Sequence, residues 1–259
     1  MRLKIAKGFA ASFWLELIYL AVVFVMISRA RKGLKIPPVH KVSGLDALDE
    51  AIGRSTEMGR PVHFCPGIGT VDNSQTLAAF SILSYVAQAC AKYDTDIIVT
   101  NRQSVVHPIT EGIVKQAYTE AGKPDAYVAD NVRFLSEDQF AYASGVTGIM
   151  NRERPAANLL LGAFWAESLI FAEVGNSIGC IQISGTAQTS QVPFFVAACD
   201  YCLIGEELYA ASAYLSRNPV LLGNLIAGDA GKMAMIVLII VGALLQTFGV
   251  KGLSQLLAK

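Results

Sequence analysis

Long apolar runs lie near both ends of the chain, and the residues between them alternate short apolar runs with amphipathic stretches. The run at residues 9–28 contains one charge, Glu16, and the run at residues 233–250 contains none. At 1.5 Å per residue, helices of these lengths span about 30 Å, the thickness of a bilayer's hydrocarbon core. The pattern therefore predicts one transmembrane helix near each end.

A cleaved signal peptide is the alternative for the first run, because three basic residues precede it. The run is longer than the usual apolar core of a signal peptide, however. It also contains Glu16 and is followed by the basic residues Arg29 and Arg31. These features favour a retained membrane anchor.

The distribution of Lys and Arg predicts the orientation of the chain. Seven of them flank the two runs on the side of the central domain, within residues 29–41 and 217–232, against five in the outer tails. Basic residues are enriched in cytoplasmic flanks of membrane helices. We therefore expect an integral protein of the cell's inner membrane with a cytoplasmic central domain.

The central region has the alternation of strands and helices that is typical of α/β domains. Short apolar runs predict strands at residues 62–65, 96–100, 132–135, 158–162, 180–184 and 201–204, with a weaker one at 126–128. Helical patterns cover residues 45–52, 73–93, 110–121, 138–152, 164–174 and 206–216. Such spacing predicts a mostly parallel, Rossmann-like sheet with helices on both faces, flanked by the two transmembrane helices.

The same pattern predicts how the chain is divided. We expect an amino-terminal anchor at 1–30, a basic, Pro-containing linker at 31–44, and the α/β domain at 45–217. A second linker at 218–232 would lead to the carboxyl-terminal transmembrane helix and tail at 233–259.

Composition excludes some classes of function. The 21 basic and 21 acidic residues balance, and no basic stripe suggests a nucleic-acid partner. The five cysteines are odd in number and lie in apolar surroundings of the central domain, which favours reduced, buried thiols over a disulfide scaffold.

A ligand site is expected where the strands end, because open parallel sheets bind ligands at the carboxyl ends of their strands. The loops predicted there supply flexible backbone, hydroxyls, an amide and charges. The candidate ligand-binding residues are Gly67, Gly69, Thr70, Asn101, Arg102, Thr186 and Glu206. They suit a polar or phosphorylated small molecule, and the sequence identifies no cofactor. The alternative is that these residues serve only as turn and helix-cap residues.

No complete catalytic or metal-binding motif is present. Gly67 and Gly69 lack the third glycine of the dinucleotide fingerprint, since position 72 is Asp. The sequence around Ser177 has the letters of a nucleophile elbow, but it follows a helix and precedes a strand, which is the reverse of the required order. Cys199 and Cys202 have redox or metal spacing without a second pair. No catalytic residue and no metal ligand is therefore assigned.

The predicted helix at 164–174 is apolar all round except for Glu167 and Glu173. A helix of this kind is buried or pressed against a partner, and Phe171 would lie on its contact surface. We favour rim carboxylates at a subunit or membrane contact. A carboxyl of shifted pKa near the fourth loop remains the alternative for Glu167.

Two stretches resemble an uncharacterised prokaryotic family of membrane-anchored α/β proteins. They are GRSTEMGRPVHFCPGIG at residues 53–69 and DYCLIGEELYAA at residues 200–211. That family is a domain of unknown function, so the resemblance implies an architecture and no activity.

The favoured function is a non-enzymatic membrane component that assembles with itself or with partner subunits. It rests on the two apolar runs, the apolar helix at 164–174 and the lack of a catalytic motif. The alternative is binding, with or without turnover, of a polar or phosphorylated small molecule at the carboxyl edge of the sheet.

Overall fold

The computed structural model describes residues 10–32 and 43–247. These residues belong to two compact units, one formed by the two ends of the chain and one by residues 40–216. Most of the predicted linker at 31–44 lies outside the described residues, as do residues 1–9 of the predicted anchor at 1–30 and residues 248–259 of the predicted segment at 233–259.

The elements follow one another as a regular alternation. In the described part of the chain, the helices are α1 (Ala10–Arg31), α2 (Ser43–Met58), α3 (Ser74–Lys92), α4 (His107–Glu120), α5 (Gln139–Glu153), α6 (Glu167–Ser177), α7 (Val192–Ala198), α8 (Glu206–Ser216) and α9 (Pro219–Thr247). The strands are β1 (Val62–Gly67), β2 (Ile97–Asn101), β3 (Val132–Phe134), β4 (Ala157–Ala163), β5 (Ile181–Thr186) and β6 (Tyr201–Ile204).

The six strands form one sheet in the order β3-β2-β1-β4-β5-β6, and every neighbouring pair is parallel. The predicted α/β fold with a parallel sheet is therefore confirmed. The strand order reverses between β1 and β4, and this is the order of dinucleotide-binding Rossmann folds.

Helices cover both faces of the sheet because successive side chains of each strand point to opposite faces. Phe64 and Val99 lie in the core formed with α2, α3, α4 and α8. Cys65 and Leu160 lie in the core formed with α5, α6 and α7. Nearly continuous burial along β1, β2, β4 and β5 follows from this double covering.

Several predicted elements were wrong or displaced. Residues 126–128 do not form a strand: a 3-10 turn at Pro124–Ala126 precedes Tyr127, whose ring packs edge-on against Tyr118. The short helix α7 was missed because its seven residues are too few to show a helical period. Helix α6 begins three residues later than predicted, at Glu167.

The unit formed by the chain ends contains a helical hairpin. Gly223 contacts the backbone of Ile27, and Gly231 contacts the ring of Tyr19, so α1 and α9 run antiparallel. Ala227, fully buried, lies between the two glycines. Small residues at every fourth position let helix backbones approach closely, as in membrane helix pairs.

The predicted linker at 218–232 is helical from Pro219 onward and continues into the apolar run without a break. Pro219 begins α9, where the missing N–H of proline costs no helical hydrogen bond. Both α1 and α9 are long and apolar enough to cross a membrane.

A row of buried polar side chains crosses the face of the sheet beneath α5–α7. Thr100 contacts His63 Nε2 at 2.9 Å, and His63 Nδ1 contacts Asn158 Oδ1 at 2.7 Å. Asn158 then donates to Gln182 Oε1 at 2.9 Å, and Gln182 donates to the carbonyl oxygens of Ala172 and Ala198. The row therefore joins β2, β1, β4 and β5.

The direction of each hydrogen bond in this row follows from Gln182, whose amide nitrogen donates to two carbonyl oxygens and whose amide oxygen therefore accepts from Asn158. Because the Asn158 amide nitrogen donates to Gln182, its oxygen faces His63 and accepts from Nδ1–H. His63 Nε2 is then an acceptor for the Thr100 hydroxyl. A neutral imidazole satisfies every bond in this arrangement, whereas in an imidazolium Nε2–H would donate and the Thr100 hydroxyl would have to accept. A fully satisfied polar row is compatible with a buried core.

Helix α6 approaches this row so closely that Gly175 has no room for a side chain. A Cβ there would lie 2.1 Å from Gln182 Oε1 and 3.0 Å from Asn158 Nδ2. Gly175 is therefore explained by packing over the amide pair.

The His63 row predicts a loss of stability in mild acid. Burial lowers the pKa of His63 from 6.5 to about 4, despite the opposing effect of the hydrogen bond that His63 donates to Asn158. Between these two values the unfolded chain binds a proton that the folded chain does not. The free energy of unfolding should therefore fall as the pH drops from 6.5 to 4, by up to about 1.4 kcal/mol per pH unit.

Denaturant unfolding at a series of pH values measures this slope. The variant His63→Gln, which cannot titrate in this interval, is the control and should show a shallower slope. Equal slopes for the two proteins between pH 6.5 and 4 would show that His63 does not cause the loss.

Candidate functional site

The loops at the carboxyl edge of the sheet are joined to one another by side chains. Gln103, after β2, donates to the carbonyl oxygen of Ile68, after β1, at 3.1 Å. Glu137, after β3, accepts from the hydroxyl and backbone N–H of Ser104. These bonds, chiefly the one from the hydroxyl, lower the pKa of Glu137.

Further bonds continue across the other strands. Gln139 of α5 donates to Glu167 of α6 at 2.5 Å, and Ser168 of α6 donates to Gln191, just before α7, at 2.8 Å. Gln75 of α3 accepts from the Thr186 hydroxyl and from the backbone N–H of Ala187. The edge is therefore held in one arrangement, as a binding site requires.

The two candidate glycines are explained by packing within the domain. Gly67 has a φ of +82°, and a Cβ there would lie 2.3 Å from the carbonyl oxygen of Ala163. A Cβ at Gly69 would lie 2.4 Å from Thr76 Oγ1. Ile68 also pairs with Ala163 at 2.8 Å, which keeps β1 and β4 together where a Rossmann crevice usually opens.

Three further candidates have partners inside the domain. Thr70 donates to Asp72, Arg102 Nε donates to the carbonyl oxygen of Glu137, and Thr186 donates to Gln75. Glu206 begins α8, after the edge strand β6, and also interacts within the structure. These residues stabilise turns and helix ends.

Asn101 differs from the other candidates. It is the last residue of β2 and is fully buried, and its backbone oxygen accepts from Leu135. Within residues 43–247, neither its amide nitrogen nor its amide oxygen has a hydrogen-bond partner. Leaving a buried polar atom unpaired costs about 1–3 kcal/mol, so this amide calls for an explanation.

Two other unpaired buried atoms lie at the same edge, within the described residues. They are Thr76 Oγ1 in the first turn of α3 and His107 Nδ1 at the start of α4. Helices α3 and α4 follow the neighbouring strands β1 and β2 and pack against each other. Asn101 continues the alternation of Ile97 and Val99, which lie on the face covered by α3 and α4.

The arrangement suits an anion. The amino ends of α3 and α4 both lie at this edge, and helix amino ends carry partial positive charge. Asn73 caps α3 through the backbone N–H of Gln75, whereas the N-cap position of α4, Val106, supplies no side-chain bond. A hydroxyl, an amide and an imidazole can each donate a hydrogen bond to a phosphate or carboxylate.

Helix α6 buries one side and exposes an apolar surface on the other. Phe171 is fully buried in the core beneath α5–α7, so its expected place on a contact surface was wrong. Trp165, just before α6, is 56% exposed, and Leu169 and Ile170 are each 41% exposed. An apolar surface therefore does lie on this helix, on the side away from Phe171.

The two acidic residues of the predicted apolar helix have different environments. Glu167 is buried and accepts from the backbone N–H of Trp165 at 2.7 Å as well as from Gln139. Its carboxylate thus stabilises the loop before α6, and its prediction as a rim carboxylate was wrong. Glu173 is exposed on the outer side of the helix.

The thiols and the serine of the incomplete motifs lie in ordinary structural settings. Ser177 donates to the carbonyl oxygen of Val174 at the end of α6. Burial raises the pKa of Cys199 to about 12 and also raises the pKa of Cys202, so both thiols stay protonated. Among the described residues, no group of three or more His, Cys, Asp or Glu side chains could hold a metal ion.

A large open groove lies away from the carboxyl edge. Its volume is about 770 Å³, and Asp49 of α2 and Tyr85 and Lys92 of α3 are among its lining residues. The Tyr85 hydroxyl donates to Asp49 at 2.6 Å. Because Tyr85 and Asp49 are paired with each other, we take the unpaired atoms at the carboxyl edge as the stronger indication of a site.

Sequence reasoning found Asn101 but missed Thr76 and His107. Thr76 lies inside α3, two residues after its first residue Ser74, whereas the candidates were chosen where the strands end. His107 follows the loop after β2, but it was not among the candidate ligand-binding residues. Their common property, a buried polar atom without a partner, depends on contacts that only the folded structure displays.

Comparison with known proteins places the chain in a family without assigning an activity. The family model described as a domain of unknown function (DUF6754) matches residues 5–257. No curated protein and no solved structure matches the chain. The match covers nearly the whole sequence, and the chain therefore belongs to the DUF6754 family.

Proposed function

We propose that this protein is a membrane-anchored domain that binds a small anionic molecule between α3 and α4 at the carboxyl edge of its sheet. The observation that carries the proposal is the fully buried Asn101 amide, which has no hydrogen-bond partner. Thr76 Oγ1 and His107 Nδ1 lie unpaired at the same edge and support it.

The chemical class follows from the groups that would make contact. Two helix amino ends favour negative charge, and the three side chains supply hydrogen-bond donors of different shapes. A ligand bearing a phosphate or carboxylate would satisfy all of them. The strand order points to the same edge of the sheet, because ligands of open α/β sheets bind there.

Replacing Asn101 by Leu separates a binding role from a structural one. The variant removes an unpaired buried amide, so the ligand-free protein should gain about 1 kcal/mol or more of stability. For a chain of this size that raises the melting temperature by about 2–4 °C. Stabilisation of the full-length, detergent-extracted protein by excess inorganic phosphate should disappear at the same time.

Thr186→Val is the matched control, because Thr186 lies at the same edge but its hydroxyl is used by Gln75. This variant should be less stable and should keep the shift caused by phosphate. A variant Asn101→Leu that is less stable than the parent and still responds to phosphate would contradict the proposal.

The membrane anchor is the second part of the proposed function. Helices α1 and α9 are long and apolar, and the large apolar side chains of α1, such as Leu20 and Phe24, are exposed on the hairpin. Such a surface is stable in lipid and unstable in water. The basic flanks favour a cytoplasmic domain. Lys232 lies inside α9, and without it the count of Lys and Arg is six on the side of the central domain against five in the outer tails.

If the hairpin crosses the membrane, washing membranes with alkaline carbonate should leave the protein in the pellet. Carbonate releases peripheral proteins because it removes electrostatic contacts, whereas a spanning helix stays in the lipid. The pellet and supernatant are compared by immunoblot. Recovery mainly in the supernatant would exclude a spanning anchor.

Self-assembly is a second candidate function, favoured by the apolar outer surface of α6. Trp165, Leu169 and Ile170 form this surface, and α7, which packs against α6, adds the exposed Phe194 and Val196. Exposed apolar patches of this kind mark contacts with other proteins or with membranes.

The variant Ile170→Asp tests the assembly candidate. A carboxylate in the middle of an apolar contact loses its hydration and gains no partner. The affinity of the protomers for one another should therefore fall by about tenfold or more. Light scattering of the detergent-extracted protein measures the mass. Val128→Asp, at another exposed apolar position, is the control. An unchanged mass for Ile170→Asp would remove α6 as an assembly surface.

A further inference from the structure

An ion pair lies within the helical hairpin, in the stretch that the sequence suggested was a linker. Lys232 Nζ and Asp229 Oδ1 of α9 are 3.1 Å apart, and their side chains are 47% and 64% exposed. The pair therefore lies on the surface of the hairpin.

The register of the hairpin fixes the depth of this pair. Gly223 lies beside Ile27 and Gly231 beside Tyr19, so eight residues of α9 match eight residues of α1. Asp229 is then level with Ala21, and Lys232 is level with Ile18. The candidate membrane-spanning part of α1 is Phe13–Arg31, so the pair lies near its middle.

The two apolar runs of the sequence are consequently not level with each other. A membrane centred on residues 233–250 would leave much of α1 in water, including the exposed Leu20 and Phe24. A membrane that covers α1 places Asp229 and Lys232 near mid-depth. A membrane that covers the exposed apolar side chains of both helices, from Val25 of α1 to Leu244 of α9, also encloses Asp229 and Lys232.

The pair also points away from α1. At 3.6 residues per turn each residue turns the helix by about 100°, so Asp229 and Lys232 lie about 200° and 140° from Ala227, which faces α1. Leu225 and Ile236 lie on the same side, one turn below and one turn above. The hairpin therefore presents a face with charges at its centre and apolar residues on either side.

Charges at this depth need polar neighbours. A charged side chain inside the hydrocarbon core is costly, and such residues almost always face other protein groups or a water-filled cavity. The bond between Asp229 and Lys232 offsets only part of this cost, because the outer sides of both groups stay exposed.

We propose that the charged face of α9 binds the same face of a second copy of this chain inside the membrane. The inference rests on the proposed membrane anchor and adds a contact distinct from the α6 surface. Copies inserted in the same orientation are related by a two-fold axis along the membrane normal. Asp229 of one protomer then pairs with the partner's Lys232, and the reverse pair forms on the other side of the axis.

The face is self-complementary because it carries one charge of each sign. Lys232 lies about one helical turn beyond Asp229, which a lysine side chain can bridge when two parallel helices pack together. Gly228 flanks the pair, and a Cβ there would meet nothing within 4 Å. Small residues at such positions let membrane helices approach closely.

Cysteine cross-linking in native membranes tests the contact with a matched pair of variants. Ile236→Cys lies on the charged face, whereas Val237→Cys lies about 100° around the helix at nearly the same depth. Their exposed fractions are similar, at 50% and 55%. Mild oxidation should give a dimer band for Ile236→Cys and only the background of the parent protein for Val237→Cys.

The charges are tested in the Ile236→Cys background. Asp229→Lys places two like charges at the contact, so cross-linking should fall by about tenfold. The exchange of both charges, Asp229→Lys with Lys232→Asp, should restore it. Equal cross-linking of the two cysteine positions, or full cross-linking in Asp229→Lys, would overturn the inference.

The outcome also distinguishes this inference from the anchor on which it rests. Protein that stays in the carbonate pellet but does not cross-link through position 236 refutes the α9 contact and leaves the anchor intact. Protein released by carbonate refutes both. Loss of cross-linking in Asp229→Lys supports the α9 contact only if that variant remains in the carbonate pellet. Recovery of cross-linking when both charges are exchanged supports the contact independently.

Discussion

Helices cover both faces of the six-stranded parallel sheet, and this double covering constrains every strand residue. Each side chain in the centre of the sheet must be apolar or must find a hydrogen-bond partner inside the protein. Phe64, Val99 and Leu159 meet the first condition on the side of α3 and α4. On the other side, the row from Thr100 through His63 and Asn158 to Gln182 meets the second. The lowered pKa of His63 and the glycine at position 175 both follow from this row.

Asn101 is informative because it breaks this rule. Like Asn158, it is a fully buried asparagine in a strand, yet both amide atoms of Asn158 are hydrogen-bonded and those of Asn101 are not. The same contrast separates it from Thr186, which is buried at the same edge and bonded to Gln75. A domain that satisfies its other sheet amides and leaves this one unpaired beside two helix amino ends has the properties of a site that a ligand completes. The proposed anionic ligand would accept the missing bond from the Asn101 amide nitrogen.

The sequence allowed prediction of the elements whose signal is local. Strands such as β2 and β4 were found because their apolar runs are continuous, and α3 and α8 because their apolar positions recur at helical spacing. Helix α7 was too short, and α6 was displaced because apolar residues on all sides hide where the helix begins. The role of Asn101 as an unpaired amide, and the depth of Asp229 in the hairpin, could not be predicted. Both depend on which distant residues lie alongside, and pattern alone does not contain that information.

Native mass spectrometry of the full chain, extracted in mild detergent, tests the central claim that this edge holds a small anionic ligand. Parent protein and the Asn101→Leu variant are compared side by side. The account predicts a stoichiometric additional mass on the parent chain, released by activation as a negatively charged small molecule, and its absence from the variant. A parent protein with no additional mass, or an identical additional mass on both proteins, would contradict it.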